Sequence, residues 1–164
     1  MRFIKLALIS AVVFSLLVFL MSLLLPAHVR VSRAVNVKET QQSLVNKVAD
    51  LDYWKEWNEM VKNAGPLEYV GRENRLFGEK LEISLVRTTP DSVFTVWRNH
   101  HGKEIAGVFS FQQSGDITIV QFYFDFHQRW YPWEKFASIN LDKQWGPAME
   151  KSLDNLKKIF ERDQ

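Results

Sequence analysis

The sequence predicts an α+β protein in which antiparallel strands precede a long C-terminal helix, behind one apolar helix at the N-terminus. Residues 6–25 contain no charged side chain, which indicates the apolar helix. Residues 67–127 alternate apolar and polar side chains in runs separated by short turns, and residues 144–160 repeat apolar side chains every three or four positions. With 164 residues, 46% of them hydrophobic, the chain is long enough for one ordinary domain.

The apolar run LALISAVVFSLLVFLMSLLL, residues 6–25, is long enough to cross a bilayer. Its 20 residues would form a helix of roughly 30 Å, which matches the hydrocarbon core of a membrane. A cleaved signal peptide is the alternative, but its apolar region usually has about 7 to 15 residues and is followed by small residues, where this chain has Leu25. The length favours a single-pass anchor in residues 1–27, followed by one domain in residues 28–164.

Charge is distributed unevenly along the chain. Arg2 and Lys5 are the only charged side chains before residue 30, and residues 28–164 contain as many basic as acidic side chains. A neutral domain without a basic stripe is unsuited to nucleic acid, so we expect no nucleic-acid partner. Arg2 and Lys5 flank one end of the apolar run and Arg30, Arg33 and Lys38 the other, so the positive-inside count does not decide the orientation. We expect a cytoplasmic N-terminal tail and a domain on the non-cytoplasmic, periplasmic side of the membrane.

The first part of the domain contains one segment with the hydrophobic period of a strand and two segments with that of a helix. HVRVSRAVNV (28–37) places valines on one face at period two, which predicts a strand. TQQSLVNKVA (40–49) has helical spacing with Thr40 as a candidate N-cap. DYWKEW (52–57) predicts a short helical turn carrying Trp54 and Trp57, and the loop KNAGP (62–66) follows it.

The middle of the chain reads as an antiparallel meander. A weak, polar strand in residues 68–78 is followed by EKLEISLVR, VFTVWRN, EIAGVFSFQQ and ITIVQFYFDFH, with TPDS, HHGK and SGD as the turns between them. Strands of seven to eleven residues joined by three or four turn residues favour neighbouring antiparallel pairing.

The C-terminal segment QWGPAMEKSLDNLKKIF contains two poor helix formers within an amphipathic pattern. Proline removes a backbone donor and is best tolerated in the first helical turn, while glycine costs about 1 kcal/mol in a helix interior. We therefore expect the long helix to begin at Pro147 with Gly146 as its cap. A separate or bent helical piece, beginning near Pro132, would then precede this Gly-Pro hinge.

The order of these segments resembles the START-like superfamily, also called SRPBCC or polyketide cyclase/dehydrase-like, and within it the bacterial membrane-anchored members. The resemblance covers residues 24–162 and is carried by LLPAHVRVSRAVNV, DLDYWKEWNEMV and GPAMEKSLDNLKKIF in that order. It implies a helix-grip fold, in which a curved antiparallel sheet wraps around the long C-terminal helix.

A cavity between sheet and helix is the expected ligand site in such a fold, and the anchor would place it beside the bilayer. We expect a binding module for a lipid or other small apolar molecule. An enzyme of the polyketide cyclase/dehydrase type and an envelope interaction protein with a filled cavity are the alternatives. Arg98, in phase with Phe94 and Val96, is either the single polar group of an apolar pocket or an exposed strand arginine. The expected ligand-binding residues are Trp54, Trp57, Arg98, Phe109, Phe111, Phe122, Phe124, Trp145, Met149 and Leu153.

Candidate catalytic and metal-binding groups are few. In QFYFDFH, strict alternation puts Tyr123, Asp125 and His127 on one face and three phenylalanines on the other. Proton transfer by this triple requires the polar face to line the cavity, whereas burial of the phenyl rings favours a solvent-facing row. The pair His100 and His101 lies in a turn without a third ligand at a recognisable spacing, and the chain has no cysteine. We expect neither a metal nor a cofactor.

Overall fold

The computed structural model describes residues 2–100, 102 and 104–162. One member of the histidine pair, His101, and the last two residues of the expected domain lie outside the described residues. The protein consists of one curved, open antiparallel sheet, a group of helices on its inner face, and an apolar helix that extends from the N-terminus. This confirms the α+β, helix-grip fold that the sequence predicts.

The sheet has seven strands in the order β1-β7-β6-β5-β4-β3-β2, and every neighbouring pair is antiparallel. Strands β2 to β7 therefore form the predicted meander, with β1 added beside β7. The weak strand expected in residues 68–78 is in fact two short strands with a helical turn between them. The strands are β1 (His28–Val37), β2 (Glu68–Val70), β3 (Arg75–Phe77), β4 (Leu81–Thr89), β5 (Ser92–Asn99), β6 (Glu104–Ser114) and β7 (Ile117–His127).

Six α-helices accompany the sheet in the described residues. Two of them have side-chain caps at their N-termini. Thr40 caps α2, as predicted, by accepting from the backbone of Ser43, and Asn58 caps α4 by accepting from the backbone of Met60 and Val61. The helices are α1 (Arg2–Leu23), α2 (Gln41–Ala49), α3 (Trp54–Trp57), α4 (Glu59–Asn63), α5 (Pro132–Ser138) and α6 (Leu141–Arg162).

The inner face of the sheet follows the predicted alternation. In β7 the side chains of Phe122, Phe124 and Phe126 are buried, because turning three phenyl rings away from water is favourable by about 1.5 to 3 kcal/mol each. They face α6, which runs along β1 and contacts α3 and α4 with its other side. The core therefore lies between the sheet and the α2, α3, α4 and α6 helices.

Helix α6 does not begin at Pro147, as the sequence analysis expected, but six residues earlier at Leu141. Pro147 lies inside the helix, and Gly146 is buried within it rather than capping it. Arg33 approaches the helix closely at this glycine, because a Cβ at residue 146 would come within 2.1 Å of the Arg33 guanidinium unless that side chain moved. Arg33 points inward from β1, crosses the helix there and pairs with Asp142 through two hydrogen bonds of 2.9 and 3.1 Å.

Candidate functional site

A cavity of about 320 Å³ lies between α4, the paired ends of β4 and β5, and the first half of α6. Its wall is mainly apolar, and its polar side chains are two amides. The lining residues are Met60, Asn63, Ala64, Leu81, Trp97, Gln144, Trp145 and Ala148.

The buried indole of Trp97 forms the inner wall of the cavity. Its Nε1 donates to Thr95 Oγ1 at 3.0 Å, and Thr95 Oγ1 donates to the carbonyl of Gly107 at 2.8 Å. Because these polar groups satisfy one another, the ring adds apolar surface to the cavity without an unpaired donor. Gly107 also leaves the space that the ring needs, since a Cβ there would lie 2.7 Å from Trp97 Nε1.

Trp145 forms the opposite wall and is half-buried. Its ring packs against Phe124 and Phe126, with centroids 5.2 and 5.6 Å apart. These two rings fix one face of Trp145, which leaves the other side of the residue available to the cavity. Of the ten expected ligand-binding residues, Trp145 is the one that lines this cavity.

Polar contacts hold α4 against α6 beside the cavity. Lys151 Nζ donates to Glu59 Oε1 at 2.6 Å, and Ser152 Oγ accepts from the backbone of Glu59 at 2.9 Å. The hydrogen bond from Lys151 lowers the pKa of Glu59 below its usual value, so this carboxylate stays ionised. Asn63, whose Nδ2 donates to Glu59 Oε1 at 3.3 Å, is positioned by the same cluster.

Eight of the expected site residues form the packed interior instead of the cavity wall. Phe109 and Phe122 are stacked with centroids 4.0 Å apart, and Trp54 and Trp57 contact Phe109 at 5.4 and 5.8 Å. The structure brings these residues together, as their spacing predicts, but packs them against one another. The eight are Trp54, Trp57, Phe109, Phe111, Phe122, Phe124, Met149 and Leu153.

Arg98 lies outside this cavity, as an exposed strand arginine. Alternation along β5 buries Val93, Thr95 and Trp97, and it puts Arg98 on the outer face of the sheet. There Arg98 donates to Glu82 and Glu104 on the two neighbouring strands, and these hydrogen bonds raise the pKa of its guanidinium. An arginine without a buried partner would lose its hydration in the interior, so the outer face is favoured.

The triple Tyr123, Asp125 and His127 also lies on the outer face. Asp125 accepts two hydrogen bonds from Arg30, at 2.7 and 2.8 Å, and the Arg30 guanidinium lies 4.1 Å from the Tyr123 ring centre. This arrangement is a surface ion pair outside the cavity, and it offers no acid or base to a molecule bound inside. Within the described residues, no group of three or more His, Asp or Glu side chains is close enough to hold a metal ion.

Seven lining residues were not among the expected site residues. Leu81 and Trp97 had a usable signal, because each lies on the inner face in the alternation of its strand. Met60 and Ala64 are four residues apart, but α4 has only five residues and its apolar face is too short to detect. The sequence pattern predicted aromatic cavity walls, whereas the open space lies beside the small side chains of Ala64 and Ala148.

Comparison with known proteins identifies the architecture. No family model and no curated protein matches the chain. Among solved structures, a START superfamily protein from Mycobacterium smegmatis superimposes with a TM-score of 0.61 at 18% identity, covering 82% of this chain and 99% of that one. The di-domain ARO/CYC StfQ from the steffimycin biosynthetic pathway gives a TM-score of 0.64 at 10% identity.

A third similar structure is DynU16, from the dynemicin biosynthetic locus, with a TM-score of 0.55 and 16% identity. The alignments cover 82% and 84% of this chain but only 48% of DynU16 and 52% of StfQ, so the chain spans about half the length of these two proteins. At such identities the likeness concerns the fold. The chain therefore has a START/SRPBCC-like helix-grip fold, as the order of its sequence motifs predicts.

Proposed function

We propose that this protein is a membrane-tethered binding module that holds a small apolar ligand between its sheet and α6. The observation that supports this proposal is the cavity lined by Trp97, Trp145, Leu81 and Met60. A concave, mainly apolar site with a few polar groups is the usual form of a small-molecule site. The START-like fold of the M. smegmatis protein and of StfQ is compatible with such a role but does not identify the ligand.

The size of the cavity favours a small ligand. Ligand sites usually measure roughly 300 to 1,000 Å³, and the cavity, at about 320 Å³, is at the lower end of that range. The stacked rings behind Trp97 occupy the space that a larger molecule would need. We propose part of one acyl chain, or a compact apolar ring, as the occupant.

Tethering is supported by α1. Residues Phe3–Leu23 form a helix of 21 residues that is long and apolar enough to cross a membrane, and almost none of it is buried against the domain. A signal sequence passes the same test of length and composition. An anchor explains in addition why α1 remains apolar all round in the folded protein, where a soluble helix would have a polar face.

The proposed orientation, with the domain on the non-cytoplasmic side, is tested by labelling intact cells. The chain contains no cysteine, so Lys158→Cys on the exposed side of α6 provides a single reporter. A maleimide that cannot cross the inner membrane should label this variant in cells. Labelling that occurs only after the inner membrane is opened would place the domain in the cytoplasm.

Ligand binding is tested with the full chain in mild detergent and a series of fatty acids of increasing length. Saturable binding of the shorter acids is expected, detected by a change in tryptophan fluorescence. Ala148→Trp should weaken the affinity at least about tenfold, because an indole would fill a cavity of this size. Lys158→Trp adds the same ring outside the cavity and should leave the affinity unchanged.

The same titration separates the alternatives. The described lining residues are apolar or carry an amide, and none supplies a general acid, base or nucleophile, which counts against the cyclase-type enzyme. A chemical change in the bound acid would reverse that judgement. Absence of saturable binding for every acid would favour the envelope interaction protein, whose interior is occupied by its own side chains.

A further inference from the structure

Helix α5 has the opposite polarity from a helix of a soluble protein. Its charged Lys135 and its Ser138 are buried, whereas Trp133, Phe136 and Ala137 are exposed. A helix on a water-soluble surface turns its apolar side inward and its charged side outward. This reversal indicates that the outer side of α5 contacts something other than water.

The buried side of α5 holds the end of α1. Lys135 Nζ donates to the carbonyl of Ser22 at 3.1 Å and to that of Leu25 at 3.2 Å, at the C-terminal end of the apolar helix. The last carbonyls of a helix lack partners within the helix and carry partial negative charge, so a lysine there is favourable. Ser138 Oγ donates to the carbonyl of Lys135 at 2.7 Å. Helix α5 is thus fastened to the point at which the chain leaves α1.

The exposed side is a continuous aromatic surface. Trp130 and Trp133 have 66% and 67% of their surface exposed, and the ring of Tyr131 lies between them at 4.6 and 4.8 Å. Phe136 and Ile139 extend the same exposed surface along the chain. Clustered exposed side chains of this size usually mark an interaction site, because each would be more stable out of water by about 1.5 to 3 kcal/mol.

We infer that residues 130–139, the interfacial segment, lie in the headgroup region of the lipid bilayer. The inference rests on the proposed tether, since a membrane-spanning α1 places its last carbonyls, and therefore Lys135, at the membrane surface. Tryptophan and tyrosine are the residues that concentrate at that depth, where their rings contact acyl chains and their polar atoms contact water. A helix that lies in this plane presents its apolar side to the lipid.

The interfacial segment also fixes which end of the domain faces the membrane. In the sheet register His28 pairs with His127, and at the same end of the sheet Leu81 pairs with Asn99. Leu81 lines the cavity, and α6, which provides Gln144 and Trp145, is separated from α5 by only two residues. The cavity therefore lies at the membrane-facing end, where an acyl chain reaches it from the bilayer without crossing water.

The test uses the full chain reconstituted in vesicles of three parts phosphatidylcholine to one part phosphatidylglycerol. The phosphatidylcholine carries bromine, which quenches tryptophan, either near the headgroup or near the chain end. Shallow bromine should quench more than deep bromine. The double variant Trp130→Phe/Trp133→Phe should lose at least about half of this quenching, because these two rings lie at the interface. Trp54→Phe, in the packed interior, should retain it.

An alkaline wash of the same vesicles makes the two proposals distinguishable. Protein that remains in the vesicles but shows no quenching by shallow bromine, or equal quenching in the double variant, overturns the interfacial segment and leaves the tether intact. Protein released by the wash overturns the tether, on which the interfacial segment rests. Lys135→Met, which removes both hydrogen bonds to α1, gives a second measurement and should reduce the quenching while the protein remains in the vesicles.

Discussion

The two halves of the space between the sheet and α6 differ in how completely side chains fill it. The closed half contains Trp54, Trp57, Phe109 and Phe122, whose rings pack on one another with almost no exposure. The open half has Ala64 and Ala148 where larger residues would fill the space, and a cavity remains there. Both halves share the same sheet and the same helix, so the position of the cavity is determined by small side chains rather than by the fold.

A charge introduced into each half should give the largest contrast. Leu153 is buried in the closed half, so Leu153→Asp leaves a carboxylate without a partner and should cost more than about 4 kcal/mol of the free energy of unfolding. Ala148→Asp faces the cavity, where water reaches the carboxylate, and should cost far less. Lys157→Asp on the outer side of α6 serves as a control. Denaturant unfolding of the three variants measures the differences, and equal losses for Leu153→Asp and Lys157→Asp would show that the helix phase is wrong.

Removal of a ring from the closed half should convert part of it into open space. Phe122→Ala eliminates the stacking with Phe109 and should cost about 3 kcal/mol or more, because the surrounding rings close the void only in part. Met60→Ala in the open half should cost less, since Met60 already borders the cavity. If Phe122→Ala has the smaller effect on unfolding, the closed half is not as tightly packed as described. Binding of longer fatty acids by Phe122→Ala would sharpen the comparison.

Gly146→Ala tests the approach of Arg33 to α6 above the cavity. The added Cβ displaces the guanidinium from Asp142, and loss of such a solvent-exposed pair costs little stability. Alanine restores about 1 kcal/mol of helix propensity relative to glycine. We therefore expect almost unchanged stability and a rise in the pKa of Asp142, measured by NMR titration. An unchanged pKa would mean that Arg33 retains its contact.

The smallest expected effect is the pH dependence of the same ion pair. Hydrogen bonds from Arg33 lower the pKa of Asp142, so this group contributes stability above its pKa in the unfolded chain and loses it as the pH falls through the lowered value. Asp142→Asn should melt slightly below the wild-type protein at neutral pH. The difference in Tm should disappear on acidification through that range. If the difference in Tm persists at the lowest pH, it arises from packing and not from the ion pair.

The elements of the fold were predictable because each has a local signature. The period of β1, the alternation in β7 and the Thr40 cap depend on neighbouring residues alone, and all three agree with the structure. The start of α6 was not predictable in this way. The local rules for glycine and proline place a helix start at Gly146 and Pro147, whereas the helix continues through both residues, beside the side chain of Arg33, which is distant in sequence.

The candidate site was predictable only in part, for a related reason. Alternation identifies inward-facing residues such as Phe109 and Phe122, but it does not show whether those residues border a cavity or fill one. That distinction depends on which side chains meet across α4, α6 and the sheet. Arg98 was expected in the pocket because it is in phase with Phe94 and Val96, but residues 94, 96 and 98 share the outer face of β5. Trp97, on the inner face, was overlooked for the same reason.

Pro147 divides α6 into two parts of unequal stability. Its nitrogen has no hydrogen, so it cannot donate to the carbonyl of Lys143, and the first turn and a half of the helix is joined to the rest by one bond fewer. A segment of six residues is too short to remain helical without its tertiary contacts. Residues 141–146 therefore depend on the packing of Trp145 against Phe124 and Phe126 and on the pair of Asp142 with Arg33 to remain helical. We expect this segment, which forms part of the cavity wall, to unfold locally at a lower free energy than residues 148–162.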